Sequence, residues 1–346
     1  MKVIPPTFLR RRTAQTTWLP APFALSLVLL ACSLSAAPES GELRPDPQSQ
    51  IFRGARIVEP TQGWPRTIRD AKGVVTIPAR PIRIHTLSVG YDEITFRLVD
   101  PSRIVAVGRS TANPELSNVA AEAQRVPRHV GRNAEEIVAL TPDLVVASPF
   151  SSRDLLEHLQ AADVPLVLAD LASSADAHAE NIRLLAYIYG EEARGEALVD
   201  EVRARMDRID RIVLAYAPPV RPRVLLLSGT SAAGDGTNED GLLRRAGAVN
   251  AAGAAGISGH RQISLEAIAA IDPDAIVLAQ SEIGRPSAVD AILGNAALQD
   301  VRAIRTNRVL RVKWSLLTTL SHWNVAGAEE LVRGLYPDAA GLLVIE

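Results

Sequence analysis

The run NAEEIVALTPDLVVAS (133–148) is written a second time, with changes, as SLEAIAAIDPDAIVLA (264–279). Each copy reads as a short helix, a proline stop and a buried apolar strand. Aligned without a gap, the copies share Glu135/Glu266, Ile137/Ile268, Ala139/Ala270, Pro142/Pro273, Asp143/Asp274 and Val146/Val277, all at the offset of 131 that separates 135 from 266. A helix–turn–strand unit repeated over that distance restricts the chain to two similar halves, each adding the unit to its own core. The length of 346 residues agrees, because it exceeds what one core usually holds.

From Trp64 onward short apolar runs alternate with helical segments. TIRDAKGVVTIPARP predicts a hairpin with Lys72-Gly73 in the turn, and IRIHTLS, RIVAV, DLVVAS and PLVLAD predict strands joined by βαβ crossovers into a parallel sheet. RVLLLS, DAIVLAQ and RVLRVK repeat the arrangement in the second half. Between them, Leu198, Val202, Met206, Ile209, Val213 and Tyr216 recur at helical spacing, and Pro218-Pro219 stop the pattern. The reading is an N-terminal lobe over 64–190, a connecting helix over 191–216 that crosses between the lobes, and a C-terminal lobe over 217–346. A helix packed on one lobe alone is the alternative.

The first 31 residues read as a leader for export. Lys2 and Arg10–Arg12 precede the apolar run LPAPFALSLVLLA, which is short for a membrane span. Cys32 is the only cysteine, so a disulfide within the chain and a Cys₄ metal site are both excluded. Residues 32–63 hold several prolines and little apolar periodicity, the composition of a flexible tether. The chain carries 37 Lys+Arg against 39 Asp+Glu, and removal of the leader's four basic residues leaves a net charge of −6, which argues against nucleic acid as a partner.

LLAC (29–32) resembles the lipobox of bacterial lipoproteins, in which the cysteine is lipidated. WPRTIRDAKGVVTIPARPIRIHTLSVGYDEITFRLV, the two Glu-containing repeats, the long central helix and GAEELVRGLYP resemble the helical-backbone periplasmic binding proteins, the receptors of ABC importers for ferric siderophores, haem and cobalamin. The resemblance covers most of residues 64–337. It departs in the first loop, where many members have Ser-Pro and this chain has Ser88-Val89. It implies an α/β fold of two Rossmann-like lobes with mainly parallel sheets, joined by one long helix, with the ligand cleft between them. It also implies a lipid-anchored, extracytoplasmic monomer whose partners are an ABC permease dimer with its ATPase subunits, and no cofactor of its own. A sensor in place of the importer stays open as the partner.

Loops leaving the C-terminal ends of the strands should line such a cleft. Tyr91, Phe150 and Trp314 fall in or beside those loops and offer flat surfaces to a ring-bearing ligand. Arg109, His260, Arg261 and His322 lie in the same set, and the two arginines can make charge-assisted bonds to an anionic complex. No Tyr or His is assigned as an iron ligand. Asn133 and Ser264 read as N-caps, which places Glu135 and Glu266 at the second helical position. Glu136 can close a capping box, whereas its counterpart Ala267 cannot. In the family resembled, one surface Glu on each lobe docks into the permease, the role implied for Glu135 and Glu266. The N-terminal hairpin favours an iron complex, siderophore or haem, over cobalamin. An exported two-lobed enzyme is the alternative from another class, although GxxxxGK[ST], HExxH, GxSxG and GxGxxG are all absent.

Overall fold

The computed structural model describes residues 55–58, 60–170, 175–280 and 294–343. The leader, Cys32, most of the tether and residues 281–286 of the segment AQSEIGRP lie outside the described residues.

The first sheet is antiparallel and three-stranded, β1 (Arg56–Ile57), β2 (Arg66–Asp70) and β3 (Gly73–Ile77). β1 falls inside the segment read as tether and pairs with β2 through Ile57 and Ile68, so ordered structure begins before Trp64. Asp70 shapes the hairpin turn by accepting from the N–H groups of Lys72 and Gly73. Its other oxygen accepts from Leu168 N at 2.9 Å, which fastens the hairpin to the first lobe.

That lobe is built on β4 (Ile84–Thr86), β5 (Ile104–Gly108), β6 (His129–Val130), β7 (Leu144–Ala147) and β8 (Leu166–Leu168). All pairings are parallel, in the order β6-β5-β4-β7-β8. Its helices are α1 (Val89–Leu98), α2 (Ala120–Ala123), α3 (Ala134–Val138), α4 (Arg153–Ala161) and α5 (Ala175–Tyr189). The strand order reverses at β4, so a crevice opens beyond its C-terminal end.

Helix α6 (Glu192–Tyr216) leads into the second lobe. There β9 (Arg223–Ser228), β10 (Ser231–Ala233), β11 (Val249–Asn250), β12 (His260–Gln262), β13 (Ala275–Gln280) and β14 (Val309–Lys313) form a sheet ordered β12-β10-β9-β13-β14, with β11 also on β9. β10 and β12 are antiparallel and the other pairings parallel. The helices are α7 (Asn238–Arg245), α8 (Ala251–Ala254), α9 (Leu265–Ile271), α10 (Arg302–Arg305), α11 (Trp314–Thr318) and α12 (Asn324–Leu335).

α6 belongs to both cores. Leu198 and Val199 are buried with the first lobe, Met206, Ile209 and Ile212 with the second, and Val202 packs against both. The expected stripe holds as far as Val213, which packs partly buried against the second core, with Ile212 buried beside it; Tyr216, the last helical residue, is 43% exposed. Among the described residues no helix is long and apolar enough to cross a membrane.

The repeated motif proves to be a stitch. In the first lobe Asp143 accepts from the N–H groups of Ile82 and Arg83, at the foot of β4, and returns its own N–H to Arg83 O. In the second, Asp274 accepts from Arg223 N at 2.8 Å and returns its N–H to Arg223 O. Before each proline stands a residue in the left-handed region, Thr141 at φ 47° and Asp272 at φ 43°. Its carbonyl accepts from the same arginine, Arg83 or Arg223. Each lobe thus locks its motif strand to the strand beside it.

Candidate functional site

A cavity of about 600 Å³ lies between the lobes, at the C-terminal edge of the first sheet. From the first lobe come the β4–α1 turn (Leu87, Ser88 and the start of α1), the stretch Gly108–Thr111 after β5, and Val130–Arg132 after β6. Trp314 and Thr318–Leu320 face them from the second. Ser88 is the N-cap of α1 but makes no side-chain cap bond. The free N–H groups of that helix end therefore leave positive potential at the cavity.

The floor is polar and buried. Asp92, one turn into α1, accepts from Thr86 Oγ1 at 2.7 Å and Thr111 Oγ1 at 2.5 Å. Burial pushes its carboxyl up to about 7 despite those bonds. His85 has Nδ1 2.9 Å from Ala106 O, so Nδ1 carries the ring proton, and burial holds the imidazole below its ordinary range. The rim is cationic. Arg109 pairs with Glu136 at 3.2 Å, and Arg132, exposed, has no carboxylate partner among the described residues.

Behind the cavity the lobes meet through a second polar layer. Glu93 of α1 accepts from Asn118 N and Nδ2 within its own lobe, and from Thr319 Oγ1 and Ser321 Oγ of the other. Ser315 Oγ donates to Asn118 Oδ1 at 2.8 Å. Arg205 of α6 makes a two-pronged bond to buried Glu329 of α12 at 2.9 and 2.7 Å.

Of the residues singled out in the sequence, Arg109 and Trp314 line the cavity together. Tyr91 does not. It is fully buried in the first core and its hydroxyl donates to Ala169 O, because its face of α1 packs on the sheet and α5. Phe150, beyond β7, is 85% exposed and outside the lining. His260 and Arg261 were expected on a free loop but belong to β12, paired with β10, and His260 Nε2 lies 3.1 Å from Glu239 Oε1. His322 is buried just past the lining segment Thr318–Leu320. Glu135 and Glu266 are both exposed at the second position of α3 and α9, whose caps Asn133 and Ser264 accept from Glu136 N and Ala267 N. Glu136 reaches back to Gly131 N, two residues before the cap, so the capping box does not close as expected. Asp92 and Arg132 were not foreseen; His85, which its apolar strand marks as a core or sheet-face histidine, is buried on β4 as that reading requires. Arg132 follows a strand of only two residues, too short for any apolar pattern to mark the loop after it.

Residues 84–315, which hold the sheets of both lobes and most of the cavity lining, match the periplasmic binding protein family. The chain belongs to that family. The uncharacterized ABC transporter substrate-binding lipoprotein YvrC of Bacillus subtilis is 25% identical over 296 residues, covering 83% of this chain and 90% of YvrC. A cobalamin-binding protein of Halobacterium salinarum is 26% identical over 292 residues, covering 83% and 77% of the two chains. Among solved structures, the apo form of the periplasmic heme-binding protein RhuT from Roseiflexus superposes with a TM-score of 0.64 at 28% identity, over 75% of this chain and 98% of RhuT. As a periplasmic binding protein, the chain is expected by its family to work outside the cytoplasm beside an ABC permease, and these relatives are named as binding proteins, not enzymes.

Proposed function

We propose that this protein is the substrate-binding lipoprotein of an ABC importer, and that it captures an iron complex, a ferric siderophore or haem, and delivers it to the permease. The observation that carries the reading is the interlobe cavity, lined by Trp314 from one lobe and by Arg109 and Arg132 from the other. Its volume of about 600 Å³ falls in the range, roughly 300–1,000 Å³, of small-molecule sites. An aromatic wall suits a flat or ring-bearing ligand, and two guanidinium groups suit its carboxylates or other acidic substituents. The likeness to a heme-binding protein supports the same class, and the likeness to a cobalamin-binding protein favours cobalamin as the second reading.

Glu135 and Glu266 are the proposed docking pair. They occupy equivalent exposed positions on the two lobes, which suits a partner of two-fold symmetry. Cys32 is the proposed site of lipid attachment.

Fluorescence titration with haemin, a ferric hydroxamate, a ferric catecholate and cobalamin tests the ligand. Haemin or a ferric siderophore should quench emission saturably, and Trp314→Phe should lose most of that amplitude. Saturable binding of cobalamin alone would establish the second reading. Failure of all four to bind would overturn both.

A further inference from the structure

His322 lies where the second lobe meets the first. Thr319 and Ser321, just before it, both donate to Glu93 of α1, so this stretch of chain is held against the opposite lobe. The imidazole is 2% exposed, its ring centroid is 5.6 Å from that of Trp323, and neither ring nitrogen has a hydrogen-bond partner. A neutral ring in such a place leaves one donor and one acceptor unfilled, whereas a protonated ring would bury two donors and a full charge.

Among the described residues, no free carboxylate is placed to compensate that charge. α1 presents Glu93 and Arg97, α5 presents His178, α6 presents Glu201 and Arg205, and α12 presents Glu329. Arg97 is paired with Glu201 at 2.6 Å and Arg205 with Glu329 at 2.7 Å. Glu93 already accepts from Asn118, Thr319 and Ser321. Every carboxylate within this set is engaged, and the unpaired ring faces two guanidinium groups.

We propose that protonation of His322 releases the contact between the lobes, so that acid opens the cleft. This goes beyond ligand capture and concerns the ligand-free protein. Burial, and after it Arg97 and Arg205, depress the closed-state pKa of His322 to about 3. Opening would expose the ring and return it toward about 6.5. Since the closed form binds the proton less well, closure is fully supported above about 6.5 and loses support as pH falls from there toward 3. At pH 5 one such group raises the ratio of open to closed molecules about thirty-fold over its value at pH 8. Glu93 acts in the opposite sense, because burial raises its pKa and acid favours its buried, protonated form. The histidine must therefore be read as a difference between variants.

The test is an interlobe distance measured by pulsed spin resonance on the full, ligand-free chain, with labels at Glu157→Cys on α4 and Arg305→Cys on α10 in a Cys32→Ser background. With His322 present, the longer-distance population should grow between pH 8 and pH 5. With His322→Asn, and separately His322→Phe, that growth should be lost or reversed while circular dichroism shows each variant folded. The proposal is overturned if a folded variant gives the same change with pH as the parent, whatever the direction of that change.

Discussion

Gly327, in the first turns of α12, is where fold and cleft are most tightly joined. A Cβ at this position would stand 2.4 Å from Leu316 O and 3.0 Å from Leu316 C. Both atoms are backbone of α11, the short helix that begins at Trp314, so no rotamer change can relieve the contact. A comfortable non-bonded separation is about 3.5 Å, which requires α11 and α12 to move apart by about 1 Å. Overpacking of this kind costs ~1–3 kcal/mol, while Gly→Ala inside a helix returns up to about 1 kcal/mol. Gly327→Ala should therefore be destabilised by up to about 2 kcal/mol, centred near ~1 kcal/mol. Gly241, on α7 of the same lobe, has nothing within 4 Å of its added Cβ. There the propensity gain stands alone, so Gly241→Ala should be stabilised by about 0.5–1 kcal/mol. Urea unfolding followed by far-ultraviolet circular dichroism gives both midpoints. A Gly327→Ala midpoint at or above that of the parent would refute the steric argument. Displacing α11 should also weaken quenching of Trp314 by haemin.

Removing Arg205 would strand the buried carboxylate of Glu329, so Arg205→Met should cost ~3–5 kcal/mol and the double variant Arg205→Met/Glu329→Leu should recover most of it, as read from urea midpoints. Asp92 is protonated in the folded state up to about 7 but ionised in the unfolded chain above 3.8, so its contribution to stability is lost as pH rises between those values. Relative to the parent, Asp92→Asn should gain stability steadily from about pH 4 to pH 7 and hold a constant advantage above that; parallel stability curves would contradict the raised carboxyl. Replacement of Glu135 and Glu266 together by Lys should abolish uptake in vesicles reconstituted with the cognate permease while leaving ligand affinity and Tm unaltered. Normal uptake by that double variant would remove the docking role.

The strands were legible because parallel strands buried on both faces are written as unbroken apolar runs, as in LVVA and AIVLAQ. α6 was legible as far as its apolar face stays in register with the two cores. Other features left little trace. Thr141 and Asp272 share a left-handed backbone but not a side chain, so the alignment of the two repeats scores as a mismatch what the structure shows as a match. β12 reads HRQ, with no apolar alternation, and its partner β10 is about thirty residues earlier, so its pairing was invisible locally. Tyr91 and Asp92 are adjacent on α1, yet one fills the core and the other the cavity floor. That choice depends on which face of the helix meets the sheet, and ten residues of weak amphipathicity do not declare it.

The described lining of the cavity is unequal, with both arginines and the whole floor in the first lobe and only Trp314 and Thr318–Leu320 in the second. A ligand arriving from solvent therefore meets a nearly complete half-site before any closure. Capture speed should follow the potential of Arg109 and Arg132, fall with added salt, and respond little to changes in α11. On the proposed reading, escape would require Trp314 to lift away, so residence time would be set by the second lobe. The on-rate and the off-rate would then be encoded in different halves of the chain, and selection could adjust either without disturbing the other.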